Sequence, residues 1–380
     1  MRLMLLKIIF LVLSILLFWG CSQKQQEEPE REKNVEKMIF PEKDWVFTTP
    51  ENQGFDRKKL QEAIDTLNNY CFEDQSDELI IIRNGHVIFS GDSIDKSHLI
   101  WSCSKSFTST VLGLLIADGK CKLDDKAAKY EPLLTEFYPN VELKHFASMT
   151  SGYNAMGSTR WDAVSEDWSW TPYDPDQPIF APGTAYAYWD EAMMMNGRVL
   201  TKIAGEDLYS YLKRKVTDKI GINDWIWGNE GELDGIPIRN GCTSIEMSAK
   251  DLARMGHLYL NKGNWNGNQV LPKDWVANAT TNQVPTNVPV AETDRKSTDG
   301  TGAYGYNWWV NGSAAGGKFA MPDSPERTYY MSGLNNNVCF VIPEWNLVFV
   351  RMGVDGNPPE GKYWVYNKFI GKLKDAMINQ

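Results

Sequence analysis

Alternating apolar and polar positions place two β-hairpins near opposite ends of the chain. The first consists of residues 78–83 and 86–90, and Asn84-Gly85 between them supplies the positive φ angles of a tight turn. The second consists of residues 337–342 and 347–352, and its turn begins at Pro343. The pattern therefore predicts a sheet to which both ends of the chain contribute strands.

Helical spacing of apolar positions marks the segments next to these hairpins. Residues 56–69 and 363–377 each present apolar side chains at intervals of three and four, which is typical of amphipathic helices. Between the hairpins, residues 106 to about 300 are expected to be mostly helix and loop. The arrangement predicts an α/β domain of the α+β type over residues 41–380, with a mostly helical subdomain inserted into the sheet.

The first forty residues have a different composition from the rest of the chain. Residues 8–19 are apolar apart from one serine and follow two basic residues, a run too short to span a membrane and typical of a signal peptide over 1–20. The residues before Cys21 resemble a bacterial lipoprotein cleavage site, which implies lipidation of Cys21. Residues 21–40 are mostly polar and charged, which predicts a disordered tether.

These features predict an exported protein of the bacterial cell envelope that contacts the membrane through its N-terminal lipid only. A short uncleaved anchor and ordinary secretion are the alternatives. The chain of 380 residues has 39 Lys and Arg against 49 Asp and Glu, a net charge of −10 that argues against a nucleic-acid partner. Six cysteines without a CxxC pair and four histidines without HExxH indicate no metal site, and no cofactor is expected.

The strongest candidate for chemistry is the Ser102-x-x-Lys105 pair. At this spacing on a helix both side chains project from one face, and a desolvated lysine can take the proton of a serine hydroxyl. The same spacing also occurs at Ser93/Lys96 and Ser210/Lys213. Only Ser102 precedes a helix that is apolar nearly all round, which predicts a buried, water-poor site.

Residues 100–119 resemble the SxxK segment of the class C β-lactamase-like serine hydrolases, a family that includes penicillin-binding carboxypeptidases, esterases and 6-aminohexanoate-dimer hydrolase. Further resemblances follow in the same order as in the family, over about residues 78 to 353. They occur at residues 119–130, 143–152, 182–190, 243–256, 304–309 and 332–343. The resemblance implies the β-lactamase/DD-peptidase-like fold, an antiparallel sheet flanked by the N- and C-terminal helices.

The resemblance also implies roles for individual residues. Ser102 would be the acylated nucleophile, Lys105 its proton partner, and Tyr188 a general base or a proton relay to the leaving group. A phenolate needs nearby positive charge, so Tyr188 is expected close to Lys105. The oxyanion hole would consist of the backbone N–H groups of Ser102 and of Leu334, the residue after Gly333.

Two positions depart from the family pattern. Asp190 stands where the family has asparagine, and it would either favour the charged form of Lys105 or point to a cationic substrate group. The triplet Met331-Ser332-Gly333 replaces the third motif of β-lactamases, whose lysine helps to hold a substrate carboxylate. This triplet is closer to that of the esterase and 6-aminohexanoate-dimer hydrolase branch, and Ser332 and Gly333 are expected to contact substrate.

The loop between the first and second motifs is rich in aromatic and acidic residues. Trp170 is expected to wall a substrate cleft together with Trp161, Trp168 and Tyr173, although a loop held down by its own aromatic residues is an equal alternative. The chain is thus predicted to be a serine hydrolase that cleaves small ester or amide bonds, peptide-like amides included, through an acyl-enzyme. The alternatives are a D-Ala-D-Ala carboxypeptidase or β-lactamase, and an inactive binding lipoprotein.

Overall fold

The computed structural model describes residues 37–71, 73–156, 171–291, 299–312 and 319–378. The predicted signal peptide, Cys21 and Trp170 lie outside these residues. Within the described ranges, no helix combines the length and the apolar character that crossing a membrane requires.

Fourteen strands form one large sheet and three small ones in the described residues. They are β1 (Val46–Phe47), β2 (Glu78–Arg83), β3 (His86–Ser90), β4 (Ser97–Leu99), β5 (Ile226–Trp227), β6 (Asn229–Leu233), β7 (Ile236–Arg239), β8 (Ile245–Ser248), β9 (Asn264–Trp265), β10 (Asn268–Gln269), β11 (Trp309–Val310), β12 (Tyr329–Gly333), β13 (Asn337–Ile342) and β14 (Leu347–Met352). The large sheet has the order β1-β3-β2-β14-β13-β12-β11 and is antiparallel except for the pairing of β1 with β3. Both predicted hairpins and the contribution of both chain ends are confirmed.

Helices cover both faces of this sheet. They are α1 (Arg57–Asn68), α2 (Ser104–Ala117), α3 (Leu143–Ala147), α4 (Asp190–Ala204), α5 (Leu208–Leu212), α6 (Asp218–Ile220), α7 (Ala249–Leu260), α8 (Lys273–Ala279) and α9 (Lys362–Ala376), with a π-helical turn at Lys213–Thr217. Alternation along β2 divides its side chains between two cores. Leu79 and Ile81 pack in the core of α1 and α9, whereas Ile80 and Ile82 pack in the core of α2 and α7.

The inserted region contains more strand than the sequence pattern predicts. In the part of residues 106–300 that the structure describes, β8 pairs with β4 and β5, and β6–β7 and β9–β10 form separate hairpins. These strands are two to five residues long, too short for an alternating pattern to distinguish them from loop. The pairing of β4 with β8 anchors the chain immediately before Ser102.

The folded domain begins a few residues earlier than predicted. The Ile39 N–H donates to the Asn84 carbonyl at 2.9 Å, and the Ile39 carbonyl oxygen lies 2.9 Å from Nε2 of His257. A Cβ atom on Gly85 would lie 2.1 Å from the Ile39 oxygen, so the hairpin turn admits this segment only because it carries glycine. Residues 37–40, assigned above to the tether, are therefore part of the domain.

Candidate active site

Ser102 lies in a 3₁₀ turn, Trp101–Cys103, between β4 and α2. The preceding residue, Trp101, has a φ of +51°, which is the left-handed region that a bulky side chain rarely adopts. Such a conformation costs about 1–3 kcal/mol and persists only where the surrounding structure holds it. The chain thus maintains a strained turn immediately before the serine.

Helix α2 anchors this turn from inside the domain. Its residues from Ser104 to Leu115 are all buried, as the sequence predicts. Burial of its polar side chains is possible because they bond to backbone carbonyls. The Ser106 hydroxyl donates to Asn307 at 2.7 Å, and the Thr108 hydroxyl donates to Gly241 at 2.9 Å.

Lys105 is held in place by three polar groups. Its side chain is 1% exposed, and its Nζ lies 2.7 Å from Oγ of Ser102, 3.3 Å from the Cys242 carbonyl oxygen and 2.6 Å from Oδ1 of Asp190. The three-residue spacing therefore brings Ser102 and Lys105 together as predicted.

The charge of Lys105 depends on its partners. Burial alone would lower the pKa of the Lys105 ammonium, because the charged form loses its hydration. The negative charge of Asp190 outweighs this effect, and the net result is a pKa above the ordinary lysine value. At neutral pH Lys105 is therefore a cation that donates to the serine oxygen.

Tyr188 lies at the end of an extended segment that is hydrogen-bonded to the loops containing Met149 and Pro289. The Ala187 N–H donates to the Met149 carbonyl at 3.0 Å, one residue before the tyrosine. The Tyr188 ring stacks on Trp309 with 5.6 Å between ring centroids, and Nζ of Lys105 lies 4.8 Å from the Tyr188 ring centroid. The proximity of Tyr188 to Lys105 that the motif implies is present.

The Tyr188 phenol is not ionised at neutral pH. Burial raises the pKa of Tyr188, while the Lys105 charge lowers it and the Asp190 charge raises it again. Hydrogen bonds with the side chains of Ser102 and Lys105 lower the pKa further, but the net direction is upward. The site in its resting form thus combines a neutral phenol, an ammonium and a serine hydroxyl.

Asp190 is the first residue of α4, where the helix dipole favours a carboxylate. Its side chain is 29% exposed, and its ion pair with Lys105 is the interaction that defines its place in the site. Of the two possibilities raised by this aspartate, stabilisation of the lysine charge is the one that the geometry supports.

The end of β12 lies directly against the turn that carries Ser102. A Cβ atom on Gly333 would lie 2.2 Å from the Ile100 carbonyl oxygen and 3.2 Å from the Ser102 nitrogen, so this approach requires glycine. Within the described residues, neither the Ser102 N–H nor the Leu334 N–H has a hydrogen-bond acceptor. Two unpaired backbone donors thus lie on either side of this contact.

The third motif has a partner that the sequence did not reveal. Met331 is buried in the hydrophobic core, whereas the Ser332 hydroxyl lies 3.4 Å from Nζ of Lys362. The same ammonium donates to the Gly333 carbonyl oxygen. Lys362 is the first residue of α9 and has no motif around it, so its sequence context carries no sign of this contact.

Most of the aromatic residues predicted to wall a substrate cleft lie outside the described residues. Of the four aromatic residues expected to wall a cleft, Tyr173 is described, and its ring packs against the core with the Arg198 guanidinium 5.5 Å from the ring centroid. Trp161, Trp168 and Trp170 are outside the described residues. In the described ranges, no group of three acidic, histidine or cysteine side chains could hold a metal ion.

Comparison with known proteins places the chain in a family. The family model named Beta-lactamase matches residues 76–367. A β-lactamase from Pseudomonas fluorescens is 27% identical over 129 residues, which are 32% of this chain and 34% of that protein. The chain thus spans about a third of the length of this relative.

Solved structures show the same fold over nearly the whole chain. A protein from Bacillus anthracis, named as a candidate 6-aminohexanoate-dimer hydrolase, superposes with a TM-score of 0.65 at 16% identity, covering 90% of each chain. A hydrolase with promiscuous acyltransferase activity superposes with a TM-score of 0.61 at 16% identity, covering 85% of this chain and 99% of that chain. The predicted β-lactamase-like α+β fold is confirmed. The chain belongs to the Beta-lactamase family.

Proposed function

We propose that the protein is an exported serine hydrolase that cleaves small ester or amide bonds, including peptide-like amides, through an acyl-enzyme on Ser102. The observation that carries the proposal is the 2.7 Å contact between the buried Nζ of Lys105 and the Ser102 hydroxyl oxygen. A serine hydroxyl becomes a useful nucleophile only beside groups that can take its proton. Lys105 and Tyr188 are both in contact with it.

In the proposed reaction Ser102 Oγ bonds to the substrate carbonyl carbon, and its proton passes to the Lys105–Tyr188 pair. The carbonyl oxygen becomes an oxyanion that accepts from the N–H groups of Ser102 and Leu334. Collapse of this intermediate breaks the bond to the leaving group, which receives the proton through Tyr188. Water then attacks the acyl group, and its proton returns along the same path as Ser102 is released.

The resting charges imply that the site loses one proton before it can accept the serine proton. Because the pKa values of Lys105 and Tyr188 are both raised, the unprotonated site is a minor form at neutral pH. The rate of acylation is therefore expected to increase with pH. The protein is therefore expected to work best in mildly alkaline solution.

Two observations support the choice of substrate class. Met331 is buried in the core and offers no charge to a substrate. The two solved structures described above are a candidate 6-aminohexanoate-dimer hydrolase and a hydrolase with promiscuous acyltransferase activity. A D-Ala-D-Ala carboxypeptidase or β-lactamase remains the second candidate within the fold, and rapid hydrolysis of a chromogenic cephalosporin would favour it.

An inactive binding lipoprotein is favoured by one specific observation. The ion pair between Lys105 and Asp190, with 2.6 Å between Nζ and Oδ1, keeps the lysine protonated and opposes its use as a base. In this alternative the residues around Ser102 would bind a ligand without reacting.

A fluorophosphonate probe separates these two possibilities. The full-length protein, extracted in mild detergent, is incubated with the probe, and its intact mass is compared with that of Ser102→Ala. A single adduct on the wild type and none on the variant is expected from an activated serine. Absence of an adduct on both proteins, at neutral and alkaline pH, would favour the inactive binder.

The proposal also includes export and lipid anchoring at Cys21. The support comes from the sequence of the first twenty residues alone. In cell fractions, the wild-type protein is expected with the membranes and to incorporate labelled palmitate. Cys21→Ala should lose the label, and unchanged labelling would exclude lipidation at this residue.

A further inference from the structure

Lys362 is a cation in a place where a positive charge is costly. It is half-buried and is the first residue of a fifteen-residue helix, whose N-terminus already carries partial positive charge. Across the described ranges it forms no ion pair with a carboxylate. Its ammonium instead reaches the last two residues of β12, where it contacts the Ser332 hydroxyl and the Gly333 carbonyl oxygen.

The Gly333 carbonyl belongs to the same peptide unit as the Leu334 N–H. A trans peptide is planar, and its C=O and N–H point in opposite directions. An ammonium that fixes the oxygen on one side therefore fixes the direction of the N–H on the other. A charged donor on the carbonyl also polarises the peptide unit and makes its N–H a stronger donor.

The contact of Gly333 with Ile100 and the Ser102 nitrogen shows that this peptide unit begins beside the Ser102 turn. The Leu334 N–H has no acceptor among the described residues. We propose that Lys362 is a positioning residue for the oxyanion hole, holding and polarising the Gly333–Leu334 peptide from the side opposite to the substrate. This inference rests on the proposed function, because it needs an oxyanion to form at Ser102.

The charged and titratable groups around Lys362 do not neutralise it. On the side of the Ser102 turn lies Cys103, whose thiol is uncharged because burial raises its pKa to about 12. On the side of β14 lies Arg351, whose guanidinium is paired with Asp355 at 2.9 Å. Burial lowers the pKa of Lys362 to about 8, and the charge of Arg351 adds to this shift. Lys362 therefore loses its charge above about pH 8.

The first test compares the rate of fluorophosphonate labelling in three proteins. In this reaction the bond from Ser102 Oγ to phosphorus forms, the serine proton passes to the Lys105–Tyr188 pair, the phosphorus–fluorine bond breaks to release fluoride, and the phosphoryl oxygen occupies the oxyanion hole. Lys362→Met should label roughly ten- to a hundredfold more slowly than wild type, because one oxyanion donor is no longer held in place. Lys372→Met, which removes an exposed lysine from the same helix, should label at the wild-type rate.

The second test is the pH profile of labelling, which a purely structural lysine would not affect. The wild-type labelling rate should increase with pH, and the slope of this increase should fall near pH 8, where Lys362 loses its proton. This change of slope is the bend in the profile. Lys362→Arg keeps the cation at every accessible pH, so it should retain most of the labelling rate and lose the bend. Thermal melting of each variant checks that its fold is intact.

The outcomes separate this inference from the proposed function. If wild type forms no Ser102 adduct, the proposed function fails and the role of Lys362 fails with it. If wild type labels and Lys362→Met labels within twofold of it, the positioning role alone is wrong. Persistence of the bend in Lys362→Arg would contradict it as well. A loss confined to substrates with a carboxylate, with normal labelling by the uncharged probe, would identify an anion-binding lysine instead.

Discussion

The two lysines on either side of Ser102 differ in one neighbour. Lys105, in α2, has Oδ1 of Asp190 at 2.6 Å, whereas the hydrogen bonds that Lys362, at the start of α9, makes within the described residues are to a carbonyl and a hydroxyl. Burial lowers the pKa of both, but the carboxylate raises that of Lys105 above its ordinary value, while that of Lys362 falls to about 8. The Asp190 carboxylate thus keeps the proton on Lys105, whereas Lys362, which has no carboxylate partner among the described residues, loses its proton in mild alkali.

The largest effect is expected on removing the lysine that contacts the serine. Lys105→Met should lower kcat by about 10²-fold or more, which is typical of the loss of a group that transfers protons. Tyr188→Phe should have an effect of similar size for the same reason. Both values are measured with an activated ester, with melting curves recorded because Lys105→Met leaves the Asp190 carboxylate without its partner.

A matched control exists for Lys105. Lys213 follows Ser210 at the same spacing, but its side chain is 37% exposed and pairs with Asp218. Lys213→Met should leave kcat unchanged. Full activity of Lys105→Met or Tyr188→Phe would remove that residue from the mechanism.

A somewhat smaller effect is expected at the contact between β12 and the Ser102 turn. Gly333→Ala would place a Cβ atom 2.2 Å from the Ile100 oxygen, so the strand must move away from the serine. Labelling by fluorophosphonate should fall at least about tenfold, and stability should fall by roughly 1–3 kcal/mol. In Gly371→Ala the nearest atom would lie at 3.4 Å, in Asp323. This change within α9 should be stabilising, and slow labelling there would contradict the geometric explanation.

The sequence predicted the elements whose signals are local. The Asn84-Gly85 turn is flanked by β2 and β3, with φ of +51° at Asn84 and +82° at Gly85. The spacing of Ser102 and Lys105 needed only the geometry of one helical turn. Such features depend on residues that are close along the chain, so a periodic pattern is sufficient to find them.

The features that the sequence did not predict depend on tertiary contacts. Lys362 meets Gly333 because α9 begins where β12 ends, and nothing in the composition near residue 362 encodes that meeting. The docking of Ile39 onto His257 is of the same kind. The sequence shows that Asp190 stands where the family has asparagine. Its effect on the pKa of Lys105, however, could be inferred only from the 2.6 Å distance between the two side chains.

Asp190→Asn tests whether the carboxylate alone makes the two lysines different. Without the negative charge, burial should dominate and lower the pKa of Lys105, as it does for Lys362. The rate of acylation at pH 7 should then rise by about tenfold, and the increase of rate with pH should begin at lower pH. A collapse of activity with an intact fold would mean that the Asp190 carboxylate itself accepts a proton in the reaction.

The smallest expected effect is on stability, and it concerns Lys362. A lysine whose pKa is lower in the folded than in the unfolded chain destabilises the fold at any pH below the folded value. This penalty disappears as the pH rises from about 8 towards the ordinary value of 10.5, because the folded chain then no longer has to bury the charge. Wild type should therefore gain stability relative to Lys362→Met over this range, on the order of 1–2 kcal/mol after allowing for partial exposure.

Lys105 provides the contrasting case in the same measurement. Its pKa is raised in the folded chain, so below about pH 10 it is charged in both the folded and the unfolded states. The difference in unfolding free energy between wild type and Lys105→Met should therefore not vary between pH 7 and pH 9.5. Denaturant unfolding at several pH values measures both differences. If the difference in unfolding free energy changes with pH in the same way for both variants, Asp190 does not make the two lysines different. If it changes with pH for Lys362→Met alone, burial without a carboxylate governs the charge of Lys362.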